Sequence, residues 1–245
     1  ENTIPAFEHA IEVGADFLEL DLAVTRDNVL VVSHDPVLPK SLCTGGKGTR
    51  VIREMSFEEL RAWDCGALKN PDFPEQKPVP GTRVPSLDEV LALSSRGGFG
   101  FNLETKISPL HPNYTPSPEE FARLVLAAVR RHGLEKRALL QSFDFRTLHA
   151  MKRLAPEFPL AALYGAGWKD FPTIAEEAGA RTVSPQFTLV TPEKVAQAHA
   201  AGLQVVPWTA NRPEEWDKLV AAGVDAIITD HPAALIAYLK ARGLR

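Results

Sequence analysis

The chain has 245 residues, 44% apolar and 24% charged, with a net charge of −4 and two cysteines. That length can bury a full-sized core without disulfides or metals, and the ordinary apolar fraction excludes a disordered chain. No apolar run approaches the roughly 18 residues of a spanning helix, and a pI near 6.0 without a long basic block argues against nucleic acid or an anionic membrane as a partner.

The first element is a helix. ENTIPAFEHAIEVG offers Thr3 as its cap and sets Ile4, Phe7 and Ile11 on one face. Gly14 stands where a helix C-terminus favours a left-handed residue, and FLELDL (17–22) follows as a strand. The same phrase of helix, glycine and short apolar run returns at Gly179, Gly202 and Gly223, ahead of strands at 182–185, 204–208 and 226–229. Further strands are expected at 99–104, 138–143 and 160–164. Capping boxes at Ser56, Ser86 and Ser117, with Pro118 and Pro192 at first helical positions, mark helix starts between them. Seven parallel strands alternating with helices in a chain of this length predict a (β/α)8 TIM barrel, α/β in class. A chain that opens on a helix places the first strand of that barrel ahead of Glu1. An open doubly wound sheet would carry a Gly-rich phosphate loop after a strand, and the sequence has none.

One stretch breaks the alternation. TRDN (25–28) is a turn, and VLVVSHD (29–35) reads as a hairpin arm returning along the preceding strand. Residues 36–84 are rich in proline and hold one clear helix (57–63), so they are expected to form an insertion, a cap beside the barrel mouth, within a single domain spanning 1–245. Cys43 and Cys65 both fall inside it. Free buried thiols are the expectation, with a disulfide as the alternative.

Charge at the ends of apolar strands carries the functional signal. Glu19 and Asp21 are two apart and so point to one side of their strand; Glu104 and Lys106 repeat that relation in NLETK. Strand C-terminal ends are where a barrel presents its active-site side chains. Three carboxylates against one lysine favour a hard cation bound through oxygen, Mg²⁺ or Ca²⁺, although ion pairs capping the strands would fit the same spacing. His34 directly follows a strand-like run and fits either an active-site histidine or a core histidine bonded to Asp35. Trp208 ends a strand on the same face, as a wall for a small organic group or as plain packing. His9, His132, His149 and His199 lie in amphipathic helices as surface or packing residues, and His231 after the last strand is a weaker candidate.

Taken together, these segments resemble a known family. ENTIPAFEHAIEVGADFLELDLAVTRDNVLVVSHD is similar to the N-terminal block of glycerophosphodiester phosphodiesterases, and NLETK, LLQSFD, VVPWTAN and GVDAIITDHP resemble its later blocks in order. The resemblance spans essentially the whole chain. It implies a (β/α)8 barrel with a small insertion after the second strand, and metal-dependent hydrolysis of small-molecule glycerophosphodiesters to glycerol 3-phosphate and an alcohol. It further implies that Glu19, Asp21 and Glu104 hold a divalent cation, that His34 is one of two catalytic histidines, that Lys106 contacts the phosphate, and that Trp208 lines the alcohol side. The family opens on a His-Arg-Gly strand bearing the second histidine and a phosphate-binding arginine. That block precedes ENT and is therefore expected upstream of Glu1. Two other readings stay open: a lysophospholipid or sphingolipid phosphodiesterase of the same fold, and a barrel that binds phosphodiesters without turnover. Compartment and oligomeric state are left open.

Overall fold

The computed structural model describes residues 1–108 and 110–245. In chain order the elements are α1 (Ile4–Val13), β1 (Phe17–Val24), β2 (Leu30–Val32), α2 (Phe57–Leu60), α3 (Leu87–Leu91), β3 (Gly100–Thr105), α4 (Pro118–Arg131), β4 (Ala138–Ser142), α5 (Phe145–Leu154), β5 (Leu160–Tyr164), α6 (Phe171–Ala178), β6 (Thr182–Pro185), α7 (Pro192–Ala200), β7 (Gln204–Val205), α8 (Pro213–Ala222) and α9 (Pro232–Ala241). The strands form one sheet in the order β2-β1-β3-β4-β5-β6-β7, all neighbours parallel except the β1–β2 hairpin. Helices connect the successive parallel strands, and α1 packs on α9 so that the helical sleeve meets itself. This is the (β/α)8 TIM-barrel architecture.

Local chemistry accounts for the element ends. Ser56 and Ser86 make complete capping boxes with Glu59 and Glu89. Ser117 accepts the Glu120 N–H, while the Glu120 carboxylate turns to Arg123 instead of closing its box. Gly14, Gly179 and Gly223 take left-handed φ values of 88°, 66° and 81°, a conformation that glycine adopts without the steric cost of a Cβ. Leu18, Leu20 and Leu22 point out of β1 into the main core, between sheet and helices, together with Phe101, Leu103, Leu140, Phe121 and Val125. Among the alternate residues of the same strands, Glu19, Asp21, Asn102, Glu104 and Gln141 point inward and are polar.

Several details correct the expectations. Thr3 precedes α1 but makes no side-chain cap bond. The helix expected over 57–63 stops at Leu60, and residues 92–96 complete helix 87–91 as a 3-10 turn. The strand expected over 204–208 is regular only at Gln204–Val205, and Pro207 has no N–H to give the 226–229 segment on its other side. Val206 and Trp208 nevertheless donate to Val183 O and Pro185 O, at 2.9 and 3.0 Å. Residues 226–229 do not form a regular strand. They keep one-sided bonds to the preceding segment, Ile228 N–H to Pro207 O and Ala210 N–H to Ile228 O, and Ile227 and Ile228 stay partly exposed. Six parallel strands are therefore regular where seven are expected.

Residues 36–84 carry a small apolar cluster of their own, with Leu38, Ile52, Met55, Leu60, Trp63 and Val84 buried. Gly46 lets the chain lie on the Trp63 indole, since a Cβ there would come within 2.1 Å of the ring. Cys43 and Cys65 are joined in a disulfide, not free as expected, their Cα atoms 4.0 Å apart. Cross-linking residues 22 apart in sequence stabilises a folded segment by about 3 kcal/mol, mainly through the entropy of the unfolded chain. A segment poor in regular structure has few other ways to hold its shape.

Candidate active site

Strand periodicity and register assemble the acidic cluster. Glu19 and Asp21 share the inward face of β1, and the parallel register sets Asp21 directly opposite Glu104 on β3 and Glu19 opposite Asn102. One oxygen from each of the three carboxylates lies within 4.8 Å of the others. Asp21 and Glu104 are buried. Lys106, just past the end of β3, reaches over both, with Nζ 3.0 Å from Asp21 Oδ1 and 2.8 Å from Glu104 Oε1. Asn2 grips Asp21 from the opposite side. Its Nδ2 donates to Asp21 Oδ2 at 2.8 Å and its Oδ1 accepts the Asp21 N–H at 3.1 Å. Asn2 adopts φ 55°, a left-handed conformation that asparagine tolerates better than most residues.

One ammonium does not balance three carboxylates. Burial, followed by repulsion from Asp21 and Glu104, pushes Glu19 well above the usual carboxylate range. Burial likewise pushes Glu104 up to about 7, against the attraction of Lys106. Burial opposes the charge on Lys106, but Asp21 and Glu104 outweigh it and its pKa rises. Carboxylates held this close in a mostly buried site fit a hard divalent cation, whose charge would let all three ionise together.

His34 sits where β2 runs out. The Ser33 N–H donates to Asp21 O at 2.9 Å, which anchors this turn directly beside the carboxylates. The imidazole is half exposed, and its Nδ1 lies 3.0 Å from Asp35 Oδ1. This bond raises the His34 pKa against partial burial and lowers that of Asp35. With Nδ1 engaged, Nε2 is the nitrogen left to exchange a proton at the site. Asp35→Asn is expected to bring the His34 pKa down toward an ordinary histidine. The limb of the pH–activity profile that His34 sets should move to lower pH with it. NMR titration of the His34 ring protons checks the shift independently of turnover.

All six residues singled out from the sequence, Glu19, Asp21, His34, Glu104, Lys106 and Trp208, line one cavity of about 2600 Å³. Trp208 is held by its indole N–H, which donates to Ser184 O at 2.8 Å, and the Phe143 ring stands edge-on to it at 5.5 Å. The two make an aromatic corner on the cavity wall. His231 also lines the cavity, whereas His132, His149 and His199 bond to Asp88, the Glu177 carbonyl and Asp225 on the outside of the barrel. His9 is exposed on α1 but lines the cavity as well. Sequence reasoning passed over Asn2, Asn102 and Gln141. The available signal was a polar amide inside an otherwise apolar strand, as in GFNLE and ALLQSF.

Residues 1–234 match the model of the glycerophosphoryl diester phosphodiesterase family. A glycerophosphodiester phosphodiesterase of Caldanaerobacter subterraneus subsp. tengcongensis is 32% identical over 99% of this chain and 93% of its own length. The crystal structure of a glycerophosphoryl diester phosphodiesterase, described as putative, from Silicibacter pomeroyi superposes with a TM-score of 0.92 at 34% identity, over 100% of this chain and 90% of that one. An Oleispira antarctica phosphodiesterase solved with sn-glycerol-3-phosphate shares the fold at a TM-score of 0.83 and 23% identity, over 98% and 91% of the two chains. With the family model covering nearly the whole chain, and with relatives this similar along most of their length, the chain belongs to the glycerophosphoryl diester phosphodiesterase family.

Proposed function

We propose that the protein hydrolyses glycerophosphodiesters to glycerol 3-phosphate and an alcohol, with His34 in acid/base catalysis and a divalent cation held by Glu19, Asp21 and Glu104. The observation that carries the proposal is the convergence of three carboxylates, one lysine and one carboxylate-oriented histidine on a single cavity. When bound, such a cation neutralises the carboxylates and stabilises charge on the phosphoryl oxygens. Lys106 adds a fixed positive charge for the phosphodiester anion, already placed and needing no reorganisation. His34 exchanges a proton at Nε2 with the attacking or the leaving oxygen, and Asp35 holds the ring in the tautomer that makes this possible. The aromatic corner of Phe143 and Trp208 faces the alcohol. Residues 36–84 act as the cap, contributing Phe73, Gln76 and Val79 to the cavity wall and shaping access for that group.

The test is turnover of glycerophosphocholine, read as glycerol 3-phosphate release in a coupled assay, with and without chelator. Release that stops in chelator and returns with Mg²⁺ or Ca²⁺ is the expected result. Phosphocholine as the product, turnover indifferent to chelator, or binding without turnover would each contradict part of the proposal. A preference for lysophosphatidylcholine over glycerophosphocholine would move the assignment to a lipid phosphodiesterase of the same fold.

A further inference from the structure

Beneath the carboxylates lies a chain of buried amides. Asn102 Nδ2 donates to Gln141 Oε1 at 2.9 Å, and Gln141 Nε2 donates to Glu19 Oε1 at 2.8 Å. Gln141 is 1% exposed and Asn102 4%. From these contacts we infer that Gln141 is a positioning residue for the Glu19 carboxylate, locked in its own orientation by Asn102. The inference rests on the reading of Glu19 as a cation ligand.

The direction of the chain follows from donor and acceptor chemistry. A carboxylate ionised by a bound cation only accepts, so in that state the Gln141 NH₂ faces Glu19 and its carbonyl faces away, as it does here. Asn102 must then present its own NH₂ to that carbonyl. Turning Gln141 over would set oxygen against oxygen at Glu19 and NH₂ against NH₂ at Asn102, and turning Asn102 over would set oxygen against oxygen at Gln141. The far end shows what this arrangement costs: Asn102 Oδ1 is buried and, among the described residues, has no hydrogen-bond partner. What the chain provides is one oxygen of Glu19 tied to the barrel wall and the other left for a ligand. Asn2 likewise holds Asp21 Oδ2, while Oδ1 is paired with Lys106. Outer groups that orient metal ligands in this fashion typically change metal affinity by about 10–100-fold when removed.

Gln141→Met keeps the length and apolar volume of the side chain and removes the donor. Calorimetric titration with Mg²⁺ and with Ca²⁺ should show the dissociation constant rise by about 10–100-fold, with thermal unfolding still cooperative. In a Glu19→Ala background the same substitution should leave the constant nearly unchanged, because the partner it positions is gone. A lower Tm with unchanged cation affinity would reduce Gln141 to a structural residue and overturn the inference. So would an equal loss of affinity in both backgrounds, which would show that Gln141 acts otherwise than through Glu19. If Gln141→Met does not fold, Asn102→Ala, which frees the Gln141 amide to rotate, gives the same readout with a smaller expected rise; no rise would again overturn the inference. Failure of the underlying cation reading looks different: the unaltered protein would then bind neither ion, and the positioning role would fall with it.

Discussion

Replacing His34 by alanine is expected to lower kcat by about 10²–10⁴-fold, the usual contribution of a positioned acid or base, while leaving cation affinity nearly unchanged. The imidazole lies beside the carboxylates without being one of them. Its Nδ1 bonds to Asp35, and only its backbone neighbour Ser33 touches Asp21. A group that transfers a proton in the transition state affects kcat and kcat/KM alike, whereas loss of a cation ligand weakens metal binding and activity together. Measuring turnover and cation affinity on the same preparation separates the two. If His34→Ala keeps most of its activity, the acid/base role belongs elsewhere, and His231, on the same cavity, is the residue to replace next.

The carboxylates predict a large coupling of stability to pH and cation. Glu104, buried and raised from an ordinary 4.5 to about 7, binds a proton in the folded protein that the unfolded chain has released over that interval. The folded state is then the one carrying more protons, so without cation stability falls as pH rises from about 4.5 to about 7. Glu19 shifts in the same direction and adds to the effect. For Glu104 alone the loss is on the order of 3 kcal/mol, or roughly 10 °C in Tm for a domain of this size. A saturating divalent cation should reverse it. At 100 times the dissociation constant it contributes about 2.7 kcal/mol above neutrality, and little near pH 5, where protons compete for the same oxygens. Glu104→Gln should raise Tm at pH 8 in chelator and abolish the response to cation. Thermal melts at pH 5 and pH 8, with chelator and with Mg²⁺ or Ca²⁺, read all of this; a Tm that ignores both pH and cation would refute it.

Much of this site was legible in the sequence because its first layer is written in local periodicity. Glu19 and Asp21 two apart on a strand must share a face, as must Glu104 and Lys106 across the end of theirs, and no tertiary contact is needed to know it. The starts at Ser56 and Ser86 and the left-handed ends at Gly14, Gly179 and Gly223 were legible for the same reason, since a cap or a left-handed glycine acts within four residues of itself. Where reasoning fell short, the deciding partner lay far along the chain. Thr3 had a capping residue's chemistry, but its hydroxyl does not bond to the helix. Residues 226–229 had a strand's composition but hold ladder bonds on one side only, and a short apolar run cannot say how many neighbours it has.

What the sequence alone determined is therefore the set of repeating helix–strand units, their apolar outward faces, and the inward placement of the acidic residues. These follow from backbone geometry acting over a few residues. Only the tertiary structure decided that Asp21 stands opposite Glu104, that Cys43 meets Cys65, and that Gln141, 122 positions along the chain from Glu19, supplies that carboxylate with its hydrogen bond. Such pairings depend on strand register and on the path of an irregular loop, and both are set by the packing of the whole barrel. Composition and periodicity carry no record of them.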